Sequence, residues 1–70
     1  MIRVLRDYAL GDVLREATDS EAKASRRARG MGSFGKIRVE DYPFQVYVDE
    51  EPHPSAIERW RRVQGGGDGA

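Results

Sequence analysis

The sequence predicts an α+β fold: a small antiparallel sheet of two hairpins, one packing helix and a short C-terminal helix, in the order β-β-α-β-β-α. Three observations carry this. A glycine-punctuated apolar stretch opens the chain, two Ser/Thr-x-x-Glu boxes each precede a helix-like segment, and clean two-residue alternation runs through residues 35–49.

In MIRVLRDYALGDVLREAT, Leu10, Val13, Leu14 and Ala17 recur at i, i+3, i+4 and i+7, so periodicity alone fits a helix. Gly11 would then sit mid-helix at a cost of about 1 kcal/mol. The same residues fit a hairpin in which Arg3–Asp7 is a strand, Tyr8–Gly11 the turn with Gly11 at positive φ, and Asp12–Ala17 the return strand. The hairpin is the preferred reading, because the helix-start signal lies further on; a helix here would change the order to α-α-β-β-α.

That signal is Thr18-Asp-Ser-Glu21, a capping box that predicts a helix over Asp19–Arg29, ended by Gly30 and Gly32. GMGSFG is a connector. Gly35–Glu40 and Phe44–Asp49 then alternate as two strands around Asp41-Tyr42-Pro43. Ile37, Val39, Phe44, Val46 and Val48 share the core face; Phe34, Lys36, Arg38, Gln45, Tyr47 and Asp49 share the other. After the linker DEEPHP, the box Ser55-Ala-Ile-Glu58 predicts a helix to about Val63 with Ile57 and Trp60 inward.

Seventy residues allow one domain, assigned to residues 1–64, with the Gly-rich residues 65–70 expected as a disordered tail. A chain this short buries about 60% of its unfolded surface, so oligomerisation, as a homodimer, is a live expectation. There is no cysteine to make a disulfide or thiolate metal site, and no run near the roughly 20 apolar residues of a membrane span. A cytoplasmic protein with no membrane role is expected. Net charge is zero, yet residues 1–38 hold nine Lys/Arg against five Asp/Glu, and residues 39–70 hold three against seven. Either the fold interleaves the halves, or the molecule carries a dipole that a charged partner would meet.

Wound at 100° per residue, the first helix places Ala17, Glu21, Ala24 and Ala28 inward, with Ser25 at the margin, and Lys23, Arg26, Arg27 and Arg29 outward. These four cations, with Lys36, Arg38 and Tyr47 of the hairpin, are the candidate contact residues for a protein or nucleic-acid partner. The competing reading is a solvated face, with the late-helix arginines placed against the helix dipole. Trp60, flanked by Arg59, Arg61 and Arg62, reads as a core or oligomer contact rather than a base-stacking group, and Glu58 can pair with Arg62. His53, between two prolines, reads as a solvated linker residue rather than a metal ligand. No phosphate loop is present, and Ser20, Ser25, Ser33 and Ser55 have no base placed by a recognisable motif, so no catalysis, cofactor or metal is predicted.

The pattern Asp7-x3-Gly11-x-Val13-Leu14-Arg15-Glu16-Ala17-Thr18-x2-Glu21-x2-Ala24-Ser25 resembles one in short uncharacterised proteins of high-GC bacteria and their mobile elements. The likeness spans roughly residues 4–49 and continues in Ile37-x-Val39 and Tyr47-Val48. It implies no established activity, but it supports a return strand before a capped helix. The function expected is a small non-enzymatic protein-binding module, a phage- or plasmid-type accessory or regulatory protein that docks on, and inhibits, a host or defence complex. The alternative is nucleic-acid binding through Lys23–Arg29.

Overall fold

The computed structural model describes the backbone of residues 2–69 and the side chains of residues 2–63. Its element order is β1 (Val4–Asp7), β2 (Val13–Glu16), α1 (Asp19–Gly30), β3 (Val46–Asp49) and α2 (Pro54–Gly69), with the antiparallel strands ordered β2-β1-β3. The N-terminal segment is the hairpin, not the helix. Asp7 builds its turn: the Asp7 carboxylate accepts from the Ala9 and Leu10 amides at 2.8 and 3.1 Å, and Gly11, at φ 80°, donates to the Asp7 carbonyl at 2.7 Å.

Thr18 caps α1 with both halves of the box in place: its hydroxyl accepts from the Glu21 amide, and the Glu21 carboxylate accepts from the Thr18 amide at 2.9 Å. At the other end Met31 is the cap, and Gly32, at φ 82°, follows it in the left-handed region. Ser33 then donates to the Ala28 carbonyl at 2.9 Å and Gly32 to Arg29 at 3.2 Å, the paired bonds of a Schellman motif. The inward face of α1 differs from expectation. Ala22, Ser25 and Ala28 are buried, whereas Ala24 is exposed and Glu21 only half-buried. Alanine or serine occupies so many positions of this helix that small size alone left its rotation open.

Leu5, Val46, Val48 and Ala22 form the core, with Leu14, Ala17, Ile37, Val39, Tyr42 and Phe44 packed around them. Register places Leu5 opposite Val48, on the face that α1 covers, and Val4 opposite Asp49 on the other face. There α2 lies against β2, and Ile57 is buried.

The second hairpin differs most from the sequence reading. Of the expected strand Gly35–Glu40, only Ile37 pairs with β3, exchanging two backbone bonds with Val46 at 2.8 and 3.0 Å. In an antiparallel ladder the next hydrogen-bonded pair would be Gly35 with Val48. The Ser25 hydroxyl stands between them instead, accepting from the Val48 amide at 3.2 Å and donating to the Gly35 carbonyl at 2.8 Å. The Arg29 guanidinium donates to the Val48 carbonyl at 3.3 Å. One turn of α1 thus supplies what a fourth strand would have supplied. Gly35 is required for the approach: it lies at φ 80°, and a Cβ there would fall 3.0 Å from the Ser25 hydroxyl.

The second capping box also differs. Ser55 lies inside α2, which begins at Pro54, and His53 is the cap: its Nδ1 accepts from the Ser55 amide at 3.1 Å, and its carbonyl accepts from Ala56 at 2.9 Å. Proline at the first helical position has no N–H to satisfy, so the preceding residue becomes the natural cap. His53 is exposed in the linker, as expected, and in addition caps α2. The helical backbone continues past the expected end at Val63, and the expected tail over residues 65–70 lies outside the residues whose side chains are described.

Ser25→Ala would leave the Val48 amide and the Gly35 carbonyl unpaired in a buried setting. A loss of about 2–3 kcal/mol in unfolding free energy is expected from urea titration, against less than about 0.5 kcal/mol for Ser20→Ala on the exposed side of the same helix.

Candidate functional site

The hairpin, α1 and the 31–45 loop decide which of the twelve basic residues are spent inside the fold and which remain free. Arg15, on β2, is fully committed. Its Nε and one terminal nitrogen donate to Asp41 at 2.8 and 3.0 Å, both terminal nitrogens donate to Glu21 at 2.9 and 2.8 Å, and one also reaches the Glu16 carbonyl at 3.0 Å. All five of its N–H groups are used. The Tyr42 ring lies 5.9 Å from the guanidinium carbon. Hydrogen bonds from Arg15 hold the Glu21 and Asp41 carboxyls below their ordinary range, and the same bonds raise the guanidinium's own pKa.

Three such pairs join the basic first half of the chain to the acidic second half: Arg15 with Asp41, Arg6 with Asp49 at 2.9 Å, and Arg26 with Glu50 at 2.6 Å. The fold interleaves the halves, and the sequence dipole is largely consumed. The hydrogen bond from Arg26 holds Glu50 below the usual carboxylate range, and the Arg3 contact does the same for Asp19.

The sequence-predicted contact residues therefore divide. Arg26 is tied to Glu50 and Arg29 to the Val48 carbonyl. Lys23 and Arg27, one turn apart on the exposed side of α1, make no hydrogen bond or ion pair among the described residues. Lys36 lies 5.1 Å over the Tyr8 ring, which meets the Tyr47 ring edge-on at 5.9 Å; these three form one cluster. Arg38 reaches the Pro43 carbonyl at 3.5 Å and stands apart from that cluster. Trp60 is half-buried and walls a cleft between α2 and the first hairpin. Glu58 and Arg62 pair at 2.9 Å.

Among the exposed large apolar residues, which also include Leu10 and Val63, two lie together in one connector, and sequence reasoning singled out only Phe34 of them, as part of a solvent-facing strand face. Met31 and Phe34, in the connector after α1, are 71% and 74% exposed. Phe34 also lies at φ 58°, a left-handed conformation that costs an L-residue other than glycine or asparagine about 1–2 kcal/mol. The available signal was two large apolar residues, Met31 and Phe34, set among glycines in GMGSFG.

No protein-family model matches the chain, and neither a curated protein nor a solved structure matches it. Among the described residues no helix is long and apolar enough to cross a membrane, and no group of three acidic or histidine side chains is placed to hold a metal ion.

The Arg15 network predicts a defined acid response. Its two carboxylates have folded-state pKa values below their unfolded ones, so their contribution is complete above about pH 5 and is lost as pH falls through the depressed values. Urea midpoints of the wild type and Arg15→Gln should differ most near neutrality and converge toward about pH 2. A gap that stays constant with pH would remove Arg15 from this role.

Proposed function

We propose that this chain is a small non-catalytic module that docks on an acidic protein surface, with Met31 and Phe34 as the apolar contact and Lys23 and Arg27 as the charged rim. The observation that carries the reading is Phe34, held at φ 58° with 74% of its surface in water. Strain of that kind, kept at an exposed large apolar residue, is the signature of a contact made elsewhere. Burying two such side chains contributes about 3–6 kcal/mol, the scale of an interface hot spot. It is less than a single acyl chain supplies, and that alone gives only marginal membrane attachment. An acidic partner is favoured by Lys23 and Arg27, whose side chains make no hydrogen bond or ion pair among the described residues. Occluding the surface it covers is the simplest inhibitory action open to a module without chemistry of its own.

Nucleic-acid binding through Lys23–Arg29 is less well supported. Two of the four cations are engaged inside the fold, and two phosphate contacts would give a salt slope near 2, far below that of an avid binder.

The test is a tagged pull-down from host lysate, run with and without nuclease, with wild type, Phe34→Gly and Lys23→Glu/Arg27→Glu in parallel. Wild type should retain a discrete protein that both variants lose. Phe34→Gly should keep its folding stability to within about 1 kcal/mol, because relief of the positive φ offsets the added glycine entropy. Retention unchanged by Phe34→Gly, or recovery of nuclease-sensitive material alone, would overturn the reading.

A further inference from the structure

On the reading of Met31 and Phe34 as the apolar contact, on which this inference rests, we infer that Met31 is a modification site at which a peroxide-class oxidant weakens docking. The chain has no cysteine, so thioethers are its only sulfur chemistry. Met31 is the one methionine among the described residues, and it is 71% exposed. Its part in the fold is played by its backbone, whose N–H donates to the Arg27 and Ala28 carbonyls at 3.1 Å and caps α1. The side chain is open to attack, and a change in its chemistry leaves the cap bonds in place.

The step is a two-electron oxidation. A lone pair of the Met31 sulfur attacks one oxygen of hydrogen peroxide, and the S–O bond forms as the O–O bond breaks. The departing hydroxide takes the proton from the transferred oxygen and leaves as water. Sulfur is oxidised to the sulfoxide, and the peroxide is reduced.

The product alters both halves of the docking surface. A flexible apolar thioether becomes a polar group, which loses the gain from burial and must find a hydrogen bond instead. The new oxygen is an acceptor four residues beyond Arg27, the spacing at which side chains of one helix face meet. The Arg27 guanidinium makes no hydrogen bond or ion pair among the described residues, so it is free to donate to that oxygen. Oxidation thus removes an apolar anchor and draws a rim cation away from the acidic partner. Phe34 carries no sulfur and keeps its contact, so docking weakens by about tenfold, the loss of one apolar anchor out of two.

The test measures retention of the discrete protein that the wild type recovers in the pull-down, over a dilution series of the tagged chain. The chain is first treated with hydrogen peroxide and freed of oxidant, and the mass of its tryptic peptide 30–36 reports oxidation at Met31 separately from Met1. Treatment should weaken the wild type about tenfold, leave Met31→Leu unchanged, and leave the urea midpoint of both unchanged. Untreated Met31→Gln, polar but not oxidisable, should dock as weakly as the treated wild type, and methionine sulfoxide reductase with a thiol reductant should restore the latter. Full oxidation of Met31 with unchanged retention, while Phe34→Gly still loses the protein, would overturn the inference and leave the docking reading standing. So would an equal loss in treated Met31→Leu. Retention unchanged by Phe34→Gly would overturn the docking reading, and this inference with it.

Discussion

A single hydroxyl group stands where a backbone hydrogen bond between two strands would otherwise run. Ser25 accepts the Val48 amide and donates to the Gly35 carbonyl, so α1, the loop after it and the edge of β3 are joined at one buried point. An open strand edge is a template for unwanted pairing, and it is usually blunted by charge, by a bulge or by a covering element. Here the covering element is α1, which supplies the Ser25 hydroxyl and, one turn on, the Arg29 guanidinium. The rest of the loop follows from that closure. Gly35 must lack a side chain beside Ser25, and the residue before it, Phe34, lies in a left-handed conformation.

Charge is used in the same economical way. A chain with equal numbers of acidic and basic residues, segregated by half, folds so that Arg6, Arg15 and Arg26 meet acids from the other half. Exposed pairs of this kind add little stability singly. Arg15 is different, because every donor it owns is used and it ties the cap of α1 to the 38–43 loop. Among the described residues this internal pairing leaves the side chains of Lys23, Arg27, Lys36, Arg59 and Arg61 without a hydrogen bond or ion pair.

The parts legible in the sequence are those decided locally. Gly11 settled the first hairpin against a competing helical period, and Thr18 with Glu21 fixed the start of α1 to the residue. The alternation of Val46 and Val48 marked β3, whose buried and half-buried residues alternate as expected. The illegible parts depend on tertiary placement. Residues 35–40 alternate like a strand, yet whether they pair depends on which helical side chain reaches Val48, and that contact is remote in sequence. His53 and Ser55 are both able to cap; Pro54 between them was the deciding signal. The basic cluster of α1 was legible, but which of its cations remain free was not, since Glu50 and the Val48 carbonyl claim two of them only once the fold is made.

Amide hydrogen exchange at Val48 tests the closure of the sheet most directly. With its N–H held by the buried Ser25 hydroxyl, Val48 should exchange only through global unfolding, at the rate of core amides such as that of Leu5. Exchange at the rapid rate of an open strand edge, while Leu5 stays protected, would show that Ser25 does not close β3 and would contradict the account.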